Sequence, residues 1–291
     1  MKFVGRNCLA LGAALEILVA SASVAAQPVD PAGEWQYRED AESCRAYREF
    51  GTGEDRISLQ LRTFGPGSTV EARVASSELP SEPGSVRYVE VMHGGEQLDH
   101  EQVGLLGTVN GVPSVTLLLG HRRVSTFFKG LTDRTIYFAS SLDASSEVMQ
   151  LRVVDTGTIT LRTGPMQEPL KRLAQCESGL MEKWGWGSSY LANIQSEPDL
   201  RNKDSFSDII MLYPAAPLLN RVGSILQLRL KVGPDGRVKD CVVQSSPFSK
   251  LFGSESCKRI RRAARYTPAL NLQGDAVESF AQISVTFARY D

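Results

Sequence analysis

The sequence predicts an α+β protein in two parts, a mostly-β domain closed by one helix over residues 30–186 and a small α+β domain over residues 211–291. Three observations lead to this fold class. Apolar and polar residues alternate in many short segments up to about residue 165, which is typical of strands. From about residue 166 the spacing of the apolar residues lengthens to the three-to-four-residue period of a helix. After residue 223, a strand, a turn, a strand, a helix and a strand follow in order.

The first 26 residues have the three parts of a secretory signal peptide. Lys2 and Arg6 supply positive charge, residues 9–22 are mostly apolar, and small residues at 24–26 suit a cleavage site. A carboxylate such as that of Glu16 is costly at the centre of a permanent membrane span, which favours a cleaved leader. We therefore expect Sec-dependent export to the periplasm, with membrane association only if the leader is retained.

Four cysteines follow the leader: Cys44, Cys176, Cys241 and Cys257. An even number in an exported chain favours disulfides, and four cysteines allow three connectivities. Pairing of nearest neighbours, 44 with 176 and 241 with 257, is the simplest. No Cys-x-x-Cys occurs, and the histidines lie apart from the cysteines, at His93, His100 and His121. We therefore expect no metal site and no cofactor.

Seven or so short strands are predicted within residues 30–186. They lie at 57–61, 70–74, 86–91, 112–119, 135–139, 148–154 and 158–163. Glycine and proline clusters such as Gly65-Pro66-Gly67 separate them. This number of strands favours a sandwich or a strongly bent barrel, and spacing alone does not decide between the two.

A helix is predicted to close this domain. Between residues 166 and 184 apolar side chains recur at helical spacing, with Pro169 in the first turn and Cys176 on the apolar face. Trp184-Gly185-Trp186 ends the helix. The polar, weakly patterned residues 187–210 are interpreted as a linker.

The C-terminal residues are predicted to form a three-stranded antiparallel sheet with two helices. The first strand alternates apolar and polar side chains over 226–232, so we expect one buried and one solvent-exposed face. Gly233-Pro234-Asp235-Gly236 has the composition of a hairpin turn. The elements in order are a short helix over 214–219, strands over 226–232 and 237–244, a helix over 250–264 and a strand over 280–287.

Several positions in this series belong to a recognisable pattern. They are Tyr213, Pro214, Gly223, Pro234, Asp235, Gly236, Tyr266 and Pro268. In their order and spacing the segment resembles the TonB C-terminal domain family. The preceding domain, through Leu161–Met166, Leu173–Cys176 and Trp184-Gly185, resembles the companion domain of certain exported proteobacterial TonB-like proteins.

The resemblance implies a periplasmic binding domain without catalytic residues. In this family a short segment of an outer-membrane receptor pairs with the last strand, which is recognition by strand addition. The corresponding residues here are Phe280, Gln282, Ile283, Ser284, Val285, Thr286 and Phe287. Neither proline nor charge occurs between Gln282 and Phe287, so this edge is open to pairing. We expect an envelope partner such as an outer-membrane receptor, and a contribution to transport across the envelope.

The chain departs from the energy-transducing members of the family. Those members keep a membrane anchor and a long proline-rich spacer, whereas this sequence has a predicted cleavable leader and no proline-rich tract. The departures favour an adaptor-like or scaffold-like role.

Two other function classes stay open. Asp155-Thr156-Gly157 after an apolar strand spells the signature of an aspartic-type peptidase, whose chemistry needs two carboxylates that share a proton. The same residues are typical of a hairpin turn, which is the favoured interpretation. A structural role in the cell envelope is the second alternative. A formal net charge of −1 argues against a nucleic-acid partner, and the basic run 258–262 is interpreted as a solvated helix face.

Overall fold

The computed structural model describes residues 27–66, 69–93, 96–97, 102–119, 147–202, 223–247 and 250–287. Within this part of the chain, extensive antiparallel sheet and few helices give the α+β class that the sequence predicts. The strands are β1 (Gln36–Asp40), β2 (Ser43–Phe50), β3 (Ile57–Thr63), β4 (Val70–Ala75), β5 (Val86–His93), β6 (Glu96–Gln97), β7 (Gln102–Val109), β8 (Val112–Leu119), β9 (Val148–Val153), β10 (Gly157–Arg162), β11 (Ile194–Ser196), β12 (Asp199–Leu200), β13 (Ser224–Val232), β14 (Val238–Ser245), β15 (Tyr266–Thr267), β16 (Ala269–Asn271), β17 (Ala276–Val277) and β18 (Ser279–Phe287). The α-helices are α1 (Gln167–Lys183), α2 (Ser188–Asn193) and α3 (Lys250–Ala263).

Strands β1 to β10 form one antiparallel sheet, which we call the large sheet. Its order is β1-β2-β3-β4-β8-β7-β5-β9-β10, and β6 pairs with β5. The segment just before β1 joins distant strands of this sheet. The N–H of Val29 donates to the carbonyl of Thr160 on β10, and that of Ala32 donates to Glu49 on β2, both at 2.8 Å. The sheet is therefore strongly curled rather than one half of a sandwich.

The interior of the large sheet is filled by the apolar residues that alternate along its strands. On β3, for example, Leu59 and Leu61 are fully buried and belong to one continuous apolar cluster. Helix α1 contacts β2 and β3 and adds Leu173 and Leu180 to the same cluster. A disulfide between Cys44 and Cys176 joins β2 to this helix. It is one half of the nearest-neighbour pairing that the sequence favours.

Three further strands form the small sheet, in the order β14-β13-β18. The β13–β14 hairpin turns at Gly233–Gly236, where the N–H of Gly236 donates to the carbonyl of Gly233 at 2.9 Å. Helix α3 covers one face of the sheet with Phe252 and Ile260, both fully buried. The second disulfide, Cys241–Cys257, joins β14 to that helix.

The other face of the small sheet corrects the sequence prediction. We expected the polar residues of β13 to meet solvent, yet only Lys231 is exposed, and Gln227 keeps 2% of its surface. The reason is that the outer surface of the large sheet covers this face. Ile225 of β13 packs with Leu105 and Leu118 of the large sheet in a small apolar cluster. The alternation was read correctly, but the second face is buried by another part of the chain.

The segment 187–210, predicted as a linker, is structured in its first half. Helix α2 is followed by β11 and β12, which pair with β16 and β15 respectively. Short polar strands of this kind lack a clear period, since most of their side chains remain exposed. Residues 203–210 lie outside the described part. The proposed division into domains stays a prediction.

The strands predicted at 57–61, 70–74, 86–91, 112–119, 148–154 and 158–163 correspond to β3, β4, β5, β8, β9 and β10. In the large sheet, strands β1, β2, β6 and β7 were not predicted, and neither were the short strands β11, β12, β15, β16 and β17. The leader 1–26, the strand at 135–139, the helix at 214–219, His100 and His121 lie outside the described residues. In the part of the chain that the structure describes, no helix is both long enough and apolar enough to cross a membrane.

Candidate partner-binding edge

Strand β18 lies at the edge of the small sheet. All nine of its residues pair with β13 in one continuous antiparallel register, from Ser279 opposite Val232 to Phe287 opposite Ser224. No strand within the described ranges pairs with its other side. This edge is where the sequence predicts the partner-binding residues.

One set of side chains on β18 belongs to the core beneath α3. Val285 and Phe287 are buried there, and Ala281 and Ile283 pack against the same cluster. The ring of Phe287 lies 5.0 Å from that of Phe252 on α3. These four residues fix the strand to the small sheet, with Val285 and Phe287 buried and Ala281 and Ile283 partly exposed.

The alternate side chains of β18 bind the large sheet. Gln282 donates through Nε2 to the carbonyl of Phe64 at 2.6 Å. Ser284 donates to Oε1 of Gln227 at 2.6 Å, which leaves Thr69 as the donor in its 2.8 Å hydrogen bond with Ser284. Both faces of the strand are therefore occupied within the chain, and only its backbone edge remains for a partner.

A cluster of polar and charged side chains joins the small sheet to the large sheet, next to β18. Arg229 on β13 donates through one Nη to both carboxylate oxygens of Glu42, at 3.0 and 3.1 Å. Its guanidinium lies 4.2 Å from the ring centroid of Trp184, at the end of α1. Gln244 on β14 donates to the Phe64 carbonyl at 2.9 Å. Glu42 and Trp184 thus hold the small sheet in position from the side of the large sheet.

Glu71 on β4 is a buried carboxylate at this interface. It has no exposed surface, and neither oxygen has a hydrogen-bond partner. The nearest cations are Arg73 at 3.5 Å and Arg62 at 4.0 Å. Burial raises the pKa of Glu71, while these arginines and Arg45 act in the opposite direction. The group belongs to the contact between sheets rather than to an open site.

Helix α2 meets β18 at the Ser279 end of the strand. The ring of Tyr190 lies 4.9 Å from that of Trp186 and 6.0 Å from that of Phe280. Burial raises the pKa of Tyr190, and a hydrogen bond with the Phe280 backbone lowers it. The N–H of Gly233, two residues after Lys231 on β13, donates to the carbonyl of Arg237 on the β14 side at 2.9 Å. Because backbone groups alternate along a strand, the N–H of Lys231 also points to β14, and the N–H of Phe280, which is paired with Lys231, points away from β13.

The direction of the Phe280 N–H fixes the directions of the others. Backbone groups alternate between the two sides of an antiparallel strand, and the register with β13 contains no bulge. The N–H groups of Gln282, Ser284 and Thr286 therefore point outward, while those of Ile283 and Val285 point to β13. The free edge offers three consecutive outward positions beyond the one that Tyr190 takes.

The family-pattern residues serve the fold around this edge. Gly236 has a φ of +71°, and a β-carbon there would clash with the carbonyl of Tyr266. Tyr266 is itself buried, which raises the pKa of its hydroxyl. Asp235 accepts from the backbone N–H of Arg237 at 3.1 Å and Pro268 lies between β15 and β16. Tyr213 and Pro214 lie outside the described residues.

Gly223 marks a close contact between the sheets. Its N–H donates to the carbonyl of Gly84 at 2.7 Å. A β-carbon at this position would lie 2.9 Å from Leu105 and 3.0 Å from the carbonyl of Phe287. A larger residue would therefore separate the small sheet from the large one.

Asp155 lies in the turn of the β9–β10 hairpin. It is exposed, with a φ of +63°, and Thr156 donates its N–H to the carbonyl of Val153 at 3.1 Å. Asp155-Thr156-Gly157 therefore forms the hairpin turn that the sequence analysis favoured over a peptidase motif. Within the described ranges, no group of three or more acidic, histidine or cysteine side chains is arranged to hold a metal ion.

Sequence reasoning missed the residues outside the C-terminal segment that contact β18 or the neighbouring strand β13. Phe64, Thr69, Trp184 and Tyr190 come from loops and helix ends far away in the chain. Only two local features of the sequence pointed to these contacts. Phe64 precedes Gly65-Pro66-Gly67, and the Trp-Gly-Trp series places two large rings at a helix end where a buried partner was to be expected.

Comparisons with known proteins concern the C-terminal segment. A family model described as Gram-negative bacterial TonB protein C-terminal matches residues 211–288. The comparison with curated proteins gave no significant match, and neither did the comparison with solved structures.

Proposed function

We propose that this chain captures an extended segment of an envelope partner on β18, because residues 211–288 match the family model of the TonB C-terminal domain, a non-enzymatic protein-interaction domain of envelope proteins involved in transport. The single observation that carries the proposal is the outer edge of β18, with which no strand of the described residues pairs. Three outward N–H groups, with their carbonyls, can pair with a partner backbone.

The chemistry of the edge suits strand addition. Edge strands that avoid pairing usually carry lysine, proline or a bulge, and β18 has none of these between Gln282 and Phe287. Main-chain hydrogen bonds would supply the affinity, because the side chains of β18 are engaged on both faces. The partner is therefore expected to be selected mainly by its ability to become extended.

In this proposal the large sheet supports the binding edge. Its hydrogen bonds to Gln282 and Ser284 hold the strand straight before a partner arrives. A strand that is already ordered loses less conformational entropy on binding, so pre-ordering raises affinity without adding contacts. This role fits an adaptor or scaffold in the periplasm, with an outer-membrane receptor as the expected partner.

The test uses an array of ten-residue peptides that tile the periplasm-facing N-terminal segments of TonB-dependent outer-membrane receptors. Binding of the full mature chain is compared with that of Ser284→Pro and Ser284→Ala. Both variants lose the hydroxyl that contacts Gln227 and Thr69, but only proline removes the outward N–H and fills the edge with its ring.

Ser284→Ala should weaken binding only slightly, because the hydrogen bond of Gln282 to Phe64 still orders the strand. Ser284→Pro should weaken binding at least tenfold relative to Ser284→Ala, about 1.4 kcal/mol, because a main-chain bond is lost and the edge is blocked. Thermal unfolding checks that both variants remain folded. Equal binding by the two folded variants would contradict strand addition on β18.

A further inference from the structure

The basic run 258–262 lines a groove between α3 and β14, which we call the basic groove. The groove has a volume of about 560 Å³. Helix α3 contributes three exposed cations to its lining, Lys258, Arg261 and Arg262, and β14 contributes Cys241 and the exposed Val243. Most of the run is therefore directed along a concave surface rather than spread over a convex helix face.

Helix α3 runs alongside β14 in the opposite direction. Three contacts join the two elements in sequence, which are Gly253 with Val243, Cys257 with Cys241, and Arg261 with Asp240. The eight helical residues between the first and the last contact rise about 12 Å, and the three strand residues rise about 10 Å. The two axes are therefore nearly parallel, so cations spaced along the helix also follow the strand.

The groove carries more positive than negative charge. Arg261 forms an ion pair with Asp240, and Lys258 lies 3.9 Å from Glu255. All four side chains are well exposed, and exposed ion pairs of this kind contribute little. Arg262 makes no ion pair within the described ranges. An incoming carboxylate can therefore bind Arg262 directly and join Lys258 at low cost.

The outer edge of β14 offers backbone groups beside these cations. Because the N–H groups of Lys231 and Arg229 on β13 point to β14, Asp240 and Val242 opposite them point inward. Cys241 and Val243 therefore present their N–H and carbonyl groups outward. Beyond the bridge of residue 237 to residue 265 at the hairpin turn, no strand of the described residues pairs with this side of β14.

The spacing of the cations matches that of an extended chain. Lys258 and Arg262 are one helical turn apart, a rise of about 6 Å along α3. Alternate side chains on one face of a strand are about 6.6–6.8 Å apart. A segment that lies along β14 would thus bring every second side chain to one of these cations. A flat lipid surface would meet the outer cations but would not pair with the backbone of Cys241 and Val243.

On these observations we propose that the basic groove binds an extended acidic segment of a protein partner. Two carboxylates at alternate positions of the segment contact Lys258 and Arg262, and its backbone lies along Cys241 and Val243. The groove lies at the edge of the small sheet opposite β18. It is therefore a second binding surface, independent of strand addition on β18.

The experiment titrates peptides into the isotope-labelled full mature chain and follows the backbone amides by NMR. Three threonine-rich peptides of about seven residues are compared, since threonine favours an extended backbone. The first has glutamate at the third and fifth positions. The second has glutamine at these positions, and the third has adjacent glutamates, which keeps the charge but removes the alternation.

Two double variants separate the groove from the overall charge of the chain. The groove variant is Lys258→Gln/Arg262→Gln, at two exposed helix positions. The matched control is Lys171→Gln/Arg201→Gln, which removes one exposed lysine and one exposed arginine outside the groove. Because all four substituted side chains are exposed, thermal unfolding of both variants should stay close to that of the parent chain.

At low ionic strength we expect the alternating-glutamate peptide to bind at least about fivefold more tightly than the glutamine peptide, as two exposed ion pairs would give. It should also bind more tightly than the adjacent-glutamate peptide and shift the amides of Cys241 and Val243. The groove variant should lose the preference for glutamate, and the control should keep it. Salt at about 0.5 M should reduce the preference by screening.

Several results would overturn the proposal. They are equal binding of the alternating-glutamate and glutamine peptides, an unchanged preference in the groove variant, or an equal loss in the control. Groove-dependent binding only to phosphatidylcholine vesicles with about a quarter phosphatidylglycerol would assign the groove to an anionic lipid surface instead. Displacement of the peptide by an equal concentration of inorganic phosphate would show an unselective anion site only. Loss of the peptide in folded Ser284→Pro would place it on β18 and would equally contradict the proposal.

Discussion

Replacing Arg229 by alanine is expected to weaken the contact between the small and the large sheet. Arg229 lies on β13, and its guanidinium both binds the Glu42 carboxylate and lies 4.2 Å from the Trp184 ring centroid. Its side chain is 15% exposed and that of Glu42 is 28% exposed, so solvent screens the pair only in part. Alanine removes both interactions and leaves Glu42 with the amide of Gln244.

The size of the effect follows from these two interactions. A hydrogen bond to a charged group contributes about 1.5–3 kcal/mol, and a partly desolvated cation–π contact about 0.5–2 kcal/mol. We expect Arg229→Ala to lower the free energy of unfolding by about 2–4 kcal/mol, since the two terms share one side chain and do not add fully. Arg229→Lys keeps the charge but loses the planar stacking, so its loss should be intermediate.

The assay is urea denaturation followed by tryptophan fluorescence and far-UV circular dichroism, in a double-mutant cycle with Glu42→Ala. We expect a coupling energy of about 1–3 kcal/mol between Arg229 and Glu42. A coupling energy within about 0.5 kcal/mol of zero would show that the pair does not hold the two sheets together.

Three further predictions concern stability. Gly236→Ala should cost at least about 2 kcal/mol in urea denaturation, because the left-handed backbone disfavours alanine and its β-carbon meets the Tyr266 carbonyl; a loss below about 0.5 kcal/mol would contradict the turn geometry. Replacing Cys44 and Cys176 with alanine should lower the free energy of unfolding by up to about 5 kcal/mol, since this disulfide closes a loop of 132 residues and Cys241–Cys257 closes one of 16. The loss should exceed that caused by removing Cys241–Cys257, and an equal or smaller loss would contradict the loop-entropy argument. Burial raises the pKa of Glu177 above its ordinary 4.5, so the folded state holds the proton more tightly and this contribution to stability is lost as pH rises through the folded-state pKa. Glu177→Gln should therefore become more stable relative to the parent chain as pH rises above the ordinary carboxyl pKa of 4.5, and a difference independent of pH would contradict the assignment.

The elements that could be predicted from the sequence are those whose side chains show their surroundings locally. On β3, Ile57, Leu59 and Leu61 are buried at alternate positions, and a period-two pattern follows directly from that geometry. The hairpin at Gly233–Gly236 was equally accessible, because proline, aspartate and glycine each have a defined role in a turn. Edge strand β1 escaped prediction since nearly all of its residues are exposed.

The candidate site was predictable only as a strand. Its last-strand position and its outer edge follow from chain order, whereas the partners of its polar side chains do not. Gln282 and Ser284 look like solvent-facing residues in an alternating strand, yet they bind Phe64 and Thr69, more than two hundred positions earlier. A local pattern records that a face is polar, but it does not record whether water or another polar surface covers that face.

Strand addition requires that a partner backbone pairs with the outer edge of β18. Amide hydrogen exchange measured by NMR, with and without a bound receptor peptide, tests it residue by residue. We predict slower exchange at Gln282, Ser284 and Thr286 when the peptide is bound, with little change at Ile283 and Val285, whose N–H groups already point to β13. Unchanged exchange at the first three amides, or protection confined to β14 and α3, would contradict strand addition on β18.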